Sequence, residues 1–84
     1  MDRINLPNGT TYEAAWAADV IGTNKWSALI PGVTIAQIAA DFDGASPIIV
    51  ENAKTGSHTY EGYTLLEAAY TRPDGVQIVL AKEV

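Results

Sequence analysis

The chain has one histidine, His58, and it is the first residue to test for chemistry. Histidine-assisted nucleophilic catalysis needs a Ser or Cys beside the imidazole and a third group that orients the ring. Cysteine is absent, and the serines Ser27, Ser46 and Ser57 sit in no nucleophile-elbow pattern. Ser57 precedes His58, but neighbours on a strand point to opposite faces. His58 therefore reads as a loop histidine. Asp41-Phe42-Asp43-Gly44 suggests a calcium loop, which requires Gly at position six and Glu at position twelve. Counted from Asp41, those positions hold Ser46 and Asn52, so the pattern fails. The glycines form neither a phosphate loop nor a dinucleotide fingerprint. Nothing in the sequence brings two carboxylates together for acid–base work. The expectation is a protein that is not an enzyme, with no catalytic residues, no metal and no cofactor.

Binding remains. The aromatic side chains that could carry it are Tyr12, Trp16, Trp26, Tyr60, Tyr63 and Tyr70, and the cations are Arg3, Lys25, Lys54, Arg72 and Lys82. Trp and Tyr dominate interface hot spots and stacking pockets. Trp16 and Tyr70 share parity with apolar neighbours and are expected in the core. Tyr60 and Tyr63 flank Gly62 at an expected bulge or bend, and bulges re-aim side chains near functional sites. Tyr60, Tyr63, Trp26, Arg72 and Lys82 are the candidate ligand- or partner-binding residues.

The elements that must position them can be read in order. Ile4 and Leu6 fall on one face of a short strand, followed by a Pro7-Asn8-Gly9 turn. Residues 10–21 fit two patterns. As a helix, Tyr12, Ala15, Trp16 and Val20 form a stripe. As a strand, Tyr12, Ala14, Trp16, Ala18 and Val20 share a face, with Glu13 and Asp19 opposite; the upstream turn and the period of two favour strand. Gly22-Thr23-Asn24 turns the chain, and Lys25 to Ile30 is a strand stopped by Pro31-Gly32. Thr34 to Phe42 is a helix: Thr34 and Gln37 form a capping box, and Ile35, Ile38, Ala39 and Phe42 build one apolar face. Gly44 is its natural stop. Asp41 and Asp43 lie at the end where the helix dipole disfavours them, and read as surface charge. Pro47 to Ala53 is a strand, and Lys54 to Ser57 a turn.

The last segment, Thr59 to Val84, reads as a β-hairpin around Arg72-Pro73-Asp74-Gly75. A four-residue loop pairs Thr71 with Val76. A three-residue loop, Pro73-Asp74-Gly75, pairs Arg72 with Val76, Tyr70 with Ile78 and Ala68 with Leu80. A slip of one residue exchanges the faces, and only the second arrangement joins apolar to apolar, so it is preferred. The other face carries Leu65, Ala69, Val79 and Ala81, more apolar than a solvated sheet face requires. These four are the candidate oligomer interface. The order β-β-β-α-β-β-β predicts an α+β fold: one mainly antiparallel sheet of about six strands with one helix packed on it.

Eighty-four residues make a single small domain, 1–84, small enough that homo-oligomerisation would help its stability. The opening MDRINLPNG is not a signal peptide, and no apolar run reaches membrane-spanning length, so no membrane association is expected. The net charge of −5, with acids spread along the chain, excludes an electrostatic footprint for duplex nucleic acid.

Tyr60-Glu61-Gly62-Tyr63-Thr64-x-Leu66, followed by Gly75-Val76-x-Ile78-x-Leu80-x-Lys82, resembles short uncharacterised proteins encoded by phages and prophages of Gram-positive gut bacteria. Ile4-x-Leu6-x-x-Gly9-x-x-Tyr12 and Thr34-Ile35-Ala36-x-Ile38-Ala39 are similar to the same group. The shared positions are turns and core, and the group carries no settled activity or functional residue. The resemblance implies a phage accessory protein, acting in the cytoplasm of the bacterial host or in the virion. Two functions follow as expectations. One is a non-enzymatic antagonist of anti-phage defence that binds a host protein or sequesters a small cyclic nucleotide signal. The other is a tail or baseplate accessory of the virion.

Overall fold

The computed structural model describes residues 2–20, 23–52, 54–71 and 74–82. It has eight strands and one helix: β1 (Asp2–Asn5), β2 (Thr11–Ala14), β3 (Trp16–Val20), β4 (Lys25–Pro31), α1 (Ile35–Phe42), β5 (Ile48–Asn52), β6 (Gly56–Tyr60), β7 (Tyr63–Thr71) and β8 (Gly75–Lys82). The α+β class stands, but the single sheet of about six strands becomes two four-stranded antiparallel sheets, β2-β1-β5-β6 and β3-β4-β8-β7.

Corners account for the difference. Two of the expected strands each cross from one sheet to the other. The segment from Thr11 to Val20 breaks at Ala15, whose N–H already donates to Leu29 of β4. The segment from Gly56 to Thr71 breaks at Glu61-Gly62, where Gly62 has φ +75°, a conformation that suits a residue without Cβ. An edge strand of each sheet thus runs into an edge strand of the other. The pairings close into a ring of six chain segments: β1, β2/β3, β4, β8, β7/β6 and β5. Joining edges at these corners shortens the open sheet edges that could template aggregation.

Both sheets contribute to one core. Ile4, Tyr12, Ile48 and Val50 come from the first; Trp26, Ile30, Val76, Ile78 and Leu80 come from the second. The helix adds Ile38 and Phe42, both fully buried, with Phe42 stacked on Tyr12 at a centroid distance of 6.1 Å. Truncating a buried Phe such as Phe42 to Ala costs about 3–5 kcal/mol. The expected capping box is present: the Gln37 N–H donates to Thr34 Oγ1 at 3.1 Å, and the Thr34 N–H to Gln37 Oε1 at 3.0 Å. Asp41 has a structural explanation, since its carboxylate accepts hydrogen bonds from the Tyr12 hydroxyl and the Asn8 amide.

The Ala15 corner reverses parity along the second segment. Tyr12 and Ala14 point inward, but beyond the corner Ala17 and Asp19 do so, and Trp16 and Val20 turn out to solvent at 39% and 41% exposure. Trp16 is therefore not core, contrary to the strand pattern read across the whole segment. A corner shifts the alternation by one residue, and a shift of one flips every side chain.

The closing hairpin also differs in register. Thr71 pairs with Gly75, Tyr70 with Val76 and Ala68 with Ile78, two residues from the expected pairing of Tyr70 with Ile78 and Ala68 with Leu80. Shifts of two preserve faces, so the apolar-to-apolar choice of parity survives. Arg72 and Pro73 lie outside the described residues. Tyr70 keeps inward parity but lies past the core edge, 65% exposed, and its hydroxyl accepts the Ile35 N–H at 3.2 Å. A bulge at Leu66 changes parity again, so Leu65 faces Leu80 and packs on the core, while Leu66 is 59% exposed.

Candidate functional site

Two pairs of sheet edges are not joined by continuous strand. Between β2 and β7 the gap is bridged by α1, through Phe42 and Asp41 to Tyr12 and through the Ile35 N–H to Tyr70. Between β3 and β6 no element intervenes among the described residues. There the Tyr60 hydroxyl donates to Asp19 Oδ1 at 2.9 Å. Register explains the meeting: Asp19 stands opposite Trp26 across β3 and β4, and the Tyr60 ring stacks on Trp26 with centroids 5.0 Å apart. Tyr63 meets Tyr60 edge-on at 5.2 Å, an arrangement favoured by the ring quadrupoles.

Beside this bridge opens a cleft of about 650 Å³, lined by Asp19, Val20, Thr23, Lys25, Thr59, Tyr60, Glu61, Tyr63 and Lys82. Three of the expected binding residues, Tyr60, Tyr63 and Lys82, thus converge. Lys82 pairs with Tyr63 across β7 and β8, and its Cε passes the bare face of Gly62. Lys25 stands opposite Ala81, one residue from Lys82; the two lysines start from opposite faces of the sheet, and both line the cleft at its end. Two of the five Lys and Arg residues of a −5 chain gather here, balanced by Asp19 and Glu61. Trp26, a candidate binding residue, is core instead: at 1% exposure it lies beneath Tyr60, and its Nε1–H has no hydrogen-bond partner among the described residues. Arg72 falls outside the described residues.

Burial, then the hydrogen bond to Asp19 and that carboxylate's charge, hold the Tyr60 phenol well above its ordinary ionisation range. It stays a donor. The bend at Gly62 is held by its N–H donating to Ser46 Oγ at 3.1 Å. Tyr60 and Tyr63 are therefore fixed by stacking, by hydrogen bonding and by the turn between them.

On the far side of the bridge lies a smaller cleft of about 290 Å³, lined by Ala17, Ala18, Asp19, Val50, Asn52, Thr55, His58 and Tyr60. His58 is in strand β6, not in a loop, with Nε2 3.0 Å from Thr55 Oγ1. Asp19, Lys25 and His58 were not chosen from the sequence as binding residues. The signal for Asp19 was the parity reversal at Ala15, which a uniform strand pattern hides.

The outer face of the second sheet can be mapped from its register. Its rows are Trp16-Leu29-Gln77-Ala69, Ala18-Ser27-Val79-Glu67 and Val20-Lys25-Ala81-Thr64. Ala69, Val79 and Ala81 of the expected interface lie here together, joined by Trp16, Leu29 and Val20; Leu65 does not. The Ser27 hydroxyl is 3.0 Å from the Ile78 carbonyl, to which it donates, so it presents little polarity outward.

Among the described residues no His, Asp and Glu cluster could hold a metal ion, and no helix is long and apolar enough to cross a membrane. Comparison with family models, with curated proteins and with solved structures gave no match.

Proposed function

We propose that the chain is a non-enzymatic phage accessory protein that binds a small phosphorylated, ring-bearing ligand of the host, and so antagonises a nucleotide-signalled defence. The observation that carries the binding reading is the convergence of Tyr60, Tyr63, Lys25 and Lys82 on one cleft from four strands. Aromatic faces accept a base, and ammonium groups accept phosphates. The tyrosines are held before any ligand arrives, which lowers the ordering cost of binding. The phage setting, and the host cytoplasm as the place of action, rest on the sequence resemblance. Titration calorimetry against cyclic dinucleotides and cyclic ADP-ribose isomers tests the reading. Binding of one of them, weakened by Lys82→Ala, supports it; no heat from any of them removes it.

A second reading has its own observation. The outer face built on Trp16, Leu29 and Val79 suits contact with protein, either another copy of the chain, a host protein, or a neighbour in a tail or baseplate. Mass spectrometry of purified virions separates these: presence in the particle supports the structural role, and absence removes it.

A further inference from the structure

The two clefts share a wall. Asp19 and Tyr60 line both, and the hydrogen bond between them is the ridge that separates a space of about 650 Å³ from one of about 290 Å³. The two sides differ in chemistry. The larger is lined by Lys25, Lys82 and the Tyr60–Tyr63 pair. Among the described residues no cation lines the smaller: its apolar lining is Ala17, Ala18 and Val50, and its polar groups are already hydrogen-bonded. Asn52 donates to Asp2 at 3.0 Å and accepts from the N–H groups of Lys54 and Thr55 at 2.8 and 3.1 Å. The His58 imidazole is exposed there, opposite buried Val50 on β5, with one nitrogen at Thr55 and the rest of the ring free to meet a ligand.

Resting on the reading of the larger cleft as a nucleotide site, we infer that the ligand is two-ended. Its phosphate and first ring sit by Lys25, Lys82 and Tyr63. Its second ring, uncharged, lies in the smaller cleft against His58, and the link between them crosses the Asp19–Tyr60 ridge. An uncharged ring suits the smaller side because an apolar floor with an imidazole at its rim offers stacking and one hydrogen bond, and nothing to neutralise an anion. A dinucleotide with a terminal phosphate has this form; a mononucleotide fills only the larger side. Two linked ends also gain through effective concentration, so the second contact tightens binding without a second association cost.

The test uses the whole chain, with AMP and the 5′-phosphorylated dinucleotide pApA as probes in titration calorimetry. The dinucleotide is expected to bind at least about tenfold tighter than AMP. His58→Ala is expected to abolish that difference and leave AMP unchanged, and His58→Phe to restore part of it by stacking. Lys82→Ala is expected to weaken both probes. His58 is exposed, so its substitution does not threaten the fold. Equal affinities of the two probes, or a His58→Ala effect that is the same on both or absent, would overturn the two-ended ligand while leaving the larger cleft as a site. Silence from both probes would overturn the nucleotide reading and this inference with it.

Discussion

Tyr60 and Asp19 join two sheets that no strand joins at that seam: the phenol of β6 donates to the carboxylate of β3 across 2.9 Å, with Trp26 stacked beneath. The opposite seam is closed by a whole helix. One side-chain pair does here what α1 does there, and leaves a cleft on each side.

That economy makes the pair sensitive. Tyr60→Phe keeps the stacking on Trp26 and loses only the hydrogen bond, and is expected to cost about 1 kcal/mol. Tyr60→Ala also uncovers Trp26 and is expected to cost about 2–4 kcal/mol. Urea unfolding followed by circular dichroism measures both. A redder, more quenchable Trp26 emission, read in a Trp16→Phe background, should accompany the second.

Alkaline pH should find the two seams together. Burial, followed by the hydrogen bond to Asp41 and that carboxylate's charge, pushes the Tyr12 phenol up to about 12 from 10.0, and Tyr60 is raised for the same reasons by Asp19. A phenol raised in the fold holds its proton more tightly there than in the unfolded chain. Its stabilisation is therefore full below the ordinary value and is lost as pH rises through the raised one. Stability should fall between pH 10.0 and about 12. Near-ultraviolet phenolate absorbance should show a delayed phase that Tyr12→Phe and Tyr60→Phe each diminish.

The first corner depends on Asp2. This acid is 9% exposed, and its two oxygens accept the Ala17 N–H at 2.9 Å and the Asn52 amide at 3.0 Å. It ties β1 to β3 just past Ala15. Asp2→Ala leaves both donors unmet and is expected to cost about 1–3 kcal/mol, with Asp2→Asn, which keeps one acceptor, milder. Chemical denaturation ranks the two.

The outer face of the second sheet predicts self-association. Light scattering at micromolar concentration should show a species larger than the monomer. Val79→Lys, in the middle row of that face, should shift it to monomer and make its unfolding independent of protein concentration. A clean monomer in the unsubstituted chain would remove the interface formed by Ala69, Val79 and Ala81.

Local pattern was legible and corners were not. The Thr34–Gln37 capping box, the Asn8-Gly9 turn and the Ile35-Ile38-Ala39-Phe42 stripe each follow from residues within one or two helical turns; the first two stand, and the third does except at Ala39, which is exposed. The six expected strand segments are the six segments of the ring. What failed did so where a side chain's direction depends on distant structure. Ala15 carries no signal of a corner, because only the Leu29 carbonyl waiting in β4 makes it one. Its parity reversal turned Trp16 outward and brought Asp19 in. The bulge at Leu66 likewise moved Leu65 to the core. Tyr60 and Tyr63 could be chosen because Gly62 marked the bend, and Lys82 because the chain has few cations. Lys25 comes beside Lys82 only through the pairing of β4 with distant β8, and Asp19 and His58 reach the seam through a corner and a register that local pattern does not show.

The central claim is that the seam between β3 and β6 is a binding site, and amide NMR tests it most directly. Titration of the labelled chain with a cyclic dinucleotide and with the cyclic ADP-ribose isomers should shift the amides of Thr23, Lys25, Tyr60, Tyr63 and Lys82, and leave the helix unmoved. Absence of shifts with every ligand, or shifts confined to the outer face around Trp16 and Val79, would contradict it.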